Sequence, residues 1–179
     1  MKNKGLLLDR DGVINEDHGY VGTIERFSLK IEGFPFLRMA SDKGYRLAIV
    51  TNQSGIARGY YTQDDFDALT NHMCCALKEE GIIIDLVLSC AVHPDSVAPE
   101  LKRMSYWRKP NAGMILEAAL KLDLDLSRSI MLGDRQSDVQ AAVSAKVGRV
   151  LWLDEKKEAS AEEVVIKINT FSEAKRFLI

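Results

Sequence analysis

Short apolar runs alternate with amphipathic segments along the whole of this chain, and that alternation restricts it to very few architectures. Six runs read as strands, at residues 6–8, 47–50, 86–89, 130–132, 150–153 and 165–168. Most are apolar at consecutive positions rather than at every second one, the pattern of strands covered on both faces. Helices are predicted between and after them, at 34–43, 63–80, 112–122, 137–145 and 172–178. The clearest opens at Thr62, which can cap free amides, keeps Phe66, Leu69, Met73 and Leu77 at helical spacing, and is closed by Gly81. The alternation predicts an α/β fold, a three-layer sandwich whose mainly parallel sheet carries helices on both faces. At 179 residues the chain reads as one domain, 1–179.

The composition narrows the function. A formal net charge of -2 supplies no basic field for phosphate backbones, so nucleic acid is not expected as a partner. No apolar stretch approaches a membrane span, and Met1-Lys2-Asn3-Lys4 runs into the first strand without a signal-peptide core. A cytoplasmic monomer without membrane contact is the expectation. Cys74 and Cys75 are adjacent on a helix and Cys90 ends a strand, a set from which no disulfide framework can be built.

Parallel sheets bind ligands at the carboxyl ends of their strands. Three predicted strands end there in polar groups: Asp9-Arg10-Asp11-Gly12, Thr51-Asn52-Gln53-Ser54-Gly55, and Gly133-Asp134-Arg135-Gln136-Ser137-Asp138. Arg108-Lys109-Pro110 precedes a helix. Singly, these are ordinary turn residues, a helix cap and a basic loop. Together at strand ends they make coincidence a poor explanation, and the chemistry that uses the whole set is phosphoryl transfer. Asp9 can attack phosphorus in line, giving an aspartyl phosphate. Asp11 can protonate the leaving alkoxide and then take a proton from water. Asp9 and Asp134 can hold Mg2+, while Thr51 and Lys109 stabilise phosphoryl oxygens. Asp138 is placed behind them, orienting Lys109 or a metal-bound water.

On these residues the chain resembles the haloacid-dehalogenase-like (HAD-like) phosphatases. Asp9-Arg10-Asp11-Gly12-Val13 is similar to their first motif, Thr51 to the second, Lys109 to the third, and Gly133-Asp134 with Asp138 to the fourth, over a span from about Leu6 to Trp152. The resemblance implies Asp9 as nucleophile, Asp11 as acid/base, and the backbone carbonyl of Asp11 as a further Mg2+ ligand. Within that family, Asp17-His18-Gly19-Tyr20-Val21, the run from Thr51 to Gly59, and Arg108-Lys109-Pro110 resemble the heptose 1,7-bisphosphate phosphatases, with histidinol-phosphate phosphatase domains similar. That likeness implies a small phosphorylated sugar losing its C7 phosphate. It also implies substrate contacts from Asp17, His18, Gly19, Tyr20, Asn52, Gln53, Ser54, Arg108 and Arg135. Arg108 or Arg135 suits the second anion of a bisphosphate. Packing within the loop is the alternative for His18 and Tyr20, and a non-catalytic phosphate-binding role is the alternative for the chain.

One departure concerns zinc. Many relatives carry a structural zinc loop ahead of the Arg-Lys-Pro motif, and alignment puts Val92, Ser105 and Trp107 at three of its ligand positions. Cys90 alone makes no tetrahedral site, so no zinc is expected, and Leu101, Tyr106 and Trp107 are expected to hold the loop by apolar burial. No long insertion follows Asp11 or Thr51, which predicts a minimal cap and an open site. The charged stretch 156–163 is expected to be solvated, with the last strand and helix completing the sheet.

Overall fold

The computed structural model describes residues 2–93, 104–153 and 163–179. Six strands form one sheet: β1 (Lys4–Leu8), β2 (Tyr45–Asn52), β3 (Leu86–Cys90), β4 (Ile130–Gly133), β5 (Arg149–Leu153) and β6 (Val165–Ile168). Their order is β3-β2-β1-β4-β5-β6, and every pairing among them is parallel, where a mainly parallel sheet was expected. Strand β2 runs further than its apolar run because Thr51 and Asn52 still pair with Ser89 and Cys90 of β3. Backbone pairing therefore carries two polar residues to the lip of the sheet.

The two-residue period of the strands divides the core. Leu6, Leu8, Leu47, Ile49, Ile130 and Leu132 face α1 (Phe34–Asp42), α3 (Gln63–Glu79) and α6 (Phe171–Ala174), meeting Phe36, Met73, Leu77 and Phe171. Leu7, Ala48, Val50, Met131 and Val150 face the opposite way, onto Met114, Ile115 and Ala118 of α4 (Gly113–Lys121) and Val139 and Ala142 of α5 (Gln136–Ser144). Three layers result, as the pattern predicts. Helix α3 starts at the predicted cap: Thr62 Oγ1 accepts from the Asp65 amide at 3.1 Å, and Asp65 Oδ2 accepts from the Thr62 amide at 2.8 Å. A short helix, α2 (Ser54–Ala57), stands where the sequence reads as a turn.

The chain builds β1, β2 and β3 outward in one direction, then returns to lay β4 on the other side of β1. The β1/β4 boundary is the topological switch point, where diverging connections leave a crevice at the strand ends. Asp9 begins there, its amide donating to the Leu132 carbonyl at 3.0 Å.

The segment ahead of Arg108 differs from expectation in one respect. Trp107 packs against the core under α4, as expected, but Tyr106 is 53% exposed, its ring covering Gly113 rather than entering the core. Arg108 donates to the Val92 carbonyl at 2.9 Å, a polar tie across this loop. Leu101 and residues 156–162 of the charged stretch lie outside the described residues.

Candidate active site

The switch point opens into a cleft of about 520 Å3, lined among others by Asp9, Asp11, Thr51, Lys109, Arg108 and Arg135. Its floor is a chain of buried charges. Lys109 Nζ makes ion pairs with Asp9 Oδ1 at 2.8 Å and Asp138 Oδ1 at 2.7 Å and donates to the Val50 carbonyl at 2.7 Å. Asp138 Oδ2 accepts from the Arg135 amide at 3.0 Å while Oδ1 makes the ion pair, and the first turn of α5 is thereby fixed to Lys109. Gly133 is required beside it, since a Cβ at that position would collide with the Asp138 side chain. Burial works against the charge on Lys109, but the carboxylates of Asp138 and Asp9 outweigh it and hold its pKa above the ordinary value.

One ammonium among these carboxylates leaves negative charge uncompensated. Asp9, Asp134 and Asp138 each offer an oxygen, all within 4.8 Å of one another. Burial, opposed by Lys109 and reinforced by Asp138 and Asp134, raises Asp9 from 3.8 to about 7. Burial and Asp138 likewise raise Asp134, to about 6. Asp134 Oδ1 is buried without a hydrogen-bond partner among the described residues. Its other oxygen lies over Gly12, where φ is +83° and a Cβ would fill the space that the carboxylate occupies. Hard oxygen donors, one orphaned and all mutually repelling, fit a divalent cation. Asp138 belongs to the cluster by distance, but its oxygens are committed to Lys109 and Arg135.

Asp11 is held from three sides. Arg10 donates through Nε at 3.1 Å and Nη2 at 2.8 Å to Oδ1, and through Nη2 at 3.0 Å to Oδ2. Asn15 Nδ2 donates to Oδ1 at 3.0 Å, and Gln53 Nε2 to Oδ2 at 3.1 Å. The orientation of Gln53 is set in turn by Tyr61, whose hydroxyl donates to Oε1 at 2.6 Å. The Tyr61 ring passes between Gly22 and Gly55, at both of which a Cβ would collide with it. Burial pushes its phenol up to about 12, so it remains a donor. Gln53 Nε2 also donates to Thr51 Oγ1 at 2.8 Å, which leaves the Thr51 proton for another acceptor.

The expected substrate residues separate into three groups. Asp17, Gly19, Tyr20, Ser54, Arg108 and Arg135 line the cleft. Asp17 Oδ2 pairs with Arg135 Nη2 at 2.5 Å, and Oδ1 accepts from the Gly19 amide at 2.9 Å; burial opposes its charge, but these donors pull its pKa below the ordinary carboxylate value. Asn52 and Gln53 also reach the cleft wall, yet their amides are spent inside the protein. Asn52 Nδ2 donates to the Lys109 carbonyl at 2.9 Å while Oδ1 accepts from the Lys109 amide at 3.1 Å, so Asn52 clasps the Lys109 backbone. His18 is exposed and does not line the cleft; its carbonyl accepts from Arg26 at 3.2 Å. Arg10, Asn15, Tyr61 and Arg58 are the residues that sequence reasoning misses. Arg58 stands 5.8 Å from the centre of the Tyr20 ring and bonds the His93 side chain, while Tyr20 meets Tyr60 edge-on at 4.6 Å. The only sequence signal for Arg10 is its place between two carboxylates.

A parallel sheet with acidic and lysine side chains converging at its switch point is the arrangement of a HAD-like hydrolase. A family model for HAD-hydrolase-like proteins matches residues 106–171. The chain is 45% identical to the D-glycero-alpha-D-manno-heptose-1,7-bisphosphate 7-phosphatase of Burkholderia mallei, covering 93% of this chain and 90% of that one. It is 39% identical to the beta-named enzyme of Yersinia pestis, covering 88% and 84%. It therefore belongs to the HAD-like heptose-1,7-bisphosphate 7-phosphatase family. Among solved structures, a HAD-like phosphatase from Mesorhizobium loti superposes with a TM-score of 0.87 at 35% identity, covering 99% of this chain and 85% of that one. The fold also matches D,D-heptose 1,7-bisphosphate phosphatase from B. bronchiseptica, a complex with magnesium and phosphate, with a TM-score of 0.83 at 24% identity over 98% and 97% of the two chains.

Proposed function

We propose that the chain removes the C7 phosphate of D-glycero-D-manno-heptose 1,7-bisphosphate, leaving the C1 phosphate in place. The observation that carries this reading is one buried nucleophile, Asp9, on the floor of a cleft whose walls carry two further cations, Arg108 and Arg135. The floor treats one phosphoryl group and the arginines meet the other. Arg135 is paired with Asp17, so the arriving phosphate competes with that carboxylate for the guanidinium.

Both contacts of the Asp9 carboxylate use Oδ1, which accepts from Lys109 Nζ and from the Arg10 amide at 2.8 Å each. Oδ2 is the attacking oxygen. It forms a bond to phosphorus as the ester P–O bond breaks, and Asp11 gives its proton to the departing alkoxide oxygen. Water then attacks the aspartyl phosphate, Asp11 takes the water proton, and inorganic phosphate leaves as Asp9 is regenerated. Thr51 donates its hydroxyl proton to a phosphoryl oxygen. As Asp9 loses its charge, the Lys109 N–H that faced it turns to a phosphoryl oxygen as a hydrogen-bond donor, and Lys109 stays an ammonium. Asp9, Asp134 and the Asp11 carbonyl would hold Mg2+. When bound, the ion offsets the charge of the phosphoryl oxygens and draws Asp9 and Asp134 into their carboxylate forms.

The protein is expected to act as a cytoplasmic monomer; no helix among the described residues is long and apolar enough to cross a membrane. The test is kcat/KM for both anomers of the heptose bisphosphate, histidinol phosphate and fructose 1,6-bisphosphate. One anomer should lead the non-heptose substrates by about 100-fold or more. Equal or lower values for both anomers would reassign the substrate.

A further inference from the structure

Arg10 is a large and fully buried side chain at 0% exposure, and it is charged. An arginine that water does not reach is held only where its partners repay its desolvation. Here the partners are Asp11, met by the planar fork through three contacts of 2.8 to 3.1 Å, and the carbonyl of Val21, met by the same Nη2. The guanidinium carbon also lies 5.6 Å from the centre of the Phe66 ring on α3. Val21 is buried and ends the loop that carries Asp17 and Tyr20 on the cleft wall. One side chain thus touches the proton shuttle, the substrate loop and the helix beneath them.

The contacts on Asp11 are unequal between its two oxygens. Oδ1 takes three donor contacts, from Arg10 Nε, Arg10 Nη2 and Asn15 Nδ2. Oδ2 takes two, the longer reach of Arg10 Nη2 and Gln53 Nε2. A carboxylate oxygen has about two lone-pair sites, so these donors engage both oxygens and fix the plane of the carboxylate.

We infer that Arg10 is the positioning residue for proton transfer: its guanidinium sets the orientation of the Asp11 carboxylate, while its bond to Val21 ties that geometry to the substrate loop. This rests on the reading of Asp11 as the acid/base. Lysine cannot replace the fork, because an ammonium offers a point charge rather than two parallel donors. Arg10 touches no reacting atom, and its effect is carried through Asp11.

The experiment compares two leaving groups. An alkoxide leaving from the sugar phosphate needs a proton from Asp11, whereas p-nitrophenolate leaves from p-nitrophenyl phosphate without one. Arg10→Lys should lower kcat/KM for the heptose bisphosphate by about 100-fold, and for p-nitrophenyl phosphate by less than about 10-fold. A fold merely weakened would lower both alike. Phe66→Leu, which keeps apolar volume but removes the ring under the guanidinium, should give the same selective loss on a smaller scale and serves if Arg10→Lys does not fold. Equal losses on the two substrates, or none, in the folded variant would overturn the inference. Asp11→Asn runs alongside: a selective loss there without one in the Arg10 or Phe66 variants rejects the role of Arg10 alone. The absence of selectivity in Asp11→Asn rejects the acid/base reading beneath it.

Discussion

The floor and the rim of the cleft are built on opposite principles. On the floor, Asp9, Lys109 and Asp138 are buried, and Lys109 is held by two ion pairs and a backbone carbonyl. On the rim, the side chains of Asp17, Tyr20, Arg58 and Arg135 are exposed and meet one another through an ion pair, an aromatic edge and a guanidinium over a ring. A buried ion chain fixes geometry to fractions of an ångström because any unpaired member is expensive, whereas exposed pairs cost little to remake. On the proposed function, the chemistry belongs to the floor and the choice of substrate to the rim.

Breaking the floor should therefore cost both stability and rate. Lys109→Met strands two buried carboxylates, with an expected stability loss of about 3–5 kcal/mol in denaturant unfolding and a fall in kcat of at least 100-fold. A variant that kept wild-type stability would show that the ion chain is not what fixes this region. Gly12→Ala should act more locally. A Cβ there collides with the Asp134 carboxylate, on backbone at φ +83°, so Mg2+ affinity measured by calorimetry should fall by about 10-fold or more while the fold persists. Unchanged affinity would place the cation away from Asp134.

The raised pKa values of the floor give a pH signature with a definite sign. Asp9 at about 7 and Asp134 at about 6 bind protons in the folded, metal-free protein that the unfolded chain has already released, so their contribution to stability is lost as pH rises from about 4 to about 7. Mg2+ must displace those protons, so its apparent affinity should fall as pH drops from 8 to 5. Thermal unfolding with and without Mg2+ across that range checks both signs; a Mg2+-induced gain in Tm that does not depend on pH would contradict them.

The rim should answer more quietly. Asp17→Asn frees Arg135 without touching the floor, and is expected to change KM by less than about 10-fold with Tm almost unmoved, because the pair it breaks is exposed. A large fall in kcat would move Asp17 from the rim into the chemistry. Smallest of all should be the effect of zinc chelators. Cys90 is buried with its thiol pushed up by burial, and elemental analysis of protein purified without added metal should find no stoichiometric zinc. One equivalent would restore a metal to the loop ahead of Arg108.

The same contrast explains what could be read from the sequence. The strands, the two-sided core and the polar ends of β1, β2 and β4 are periodic or contiguous signals, and Asp9, Thr51 and Asp134 could be named from them. What holds those residues could not. Asn15 and Tyr61 belong to no motif or period in the sequence; they matter because tertiary contacts bring them to Asp11 and Gln53. Asn52 and Gln53 were legible as polar groups beside Thr51, but their hydrogen bonds turn inward, a direction set by Lys109 and Tyr61 from distant parts of the chain. His18 follows the first motif at a suggestive distance, yet the left-handed turn at Gly19 and Tyr20 accompanies a side chain that stays in solvent. Helix α2 has no sequence signal, because four residues starting Ser-Gly carry no period at all.

The central claim is that Asp9 is the nucleophile of a two-step transfer. Rapid acid quench during turnover of the heptose bisphosphate, followed by peptide mass spectrometry, tests it directly. A single phosphoryl group should appear on Asp9 in the wild-type protein and be absent from Asp9→Asn, whose kcat should fall by about 10,000-fold or more. Turnover without a phosphorylated peptide, or label on any other residue, would contradict the account.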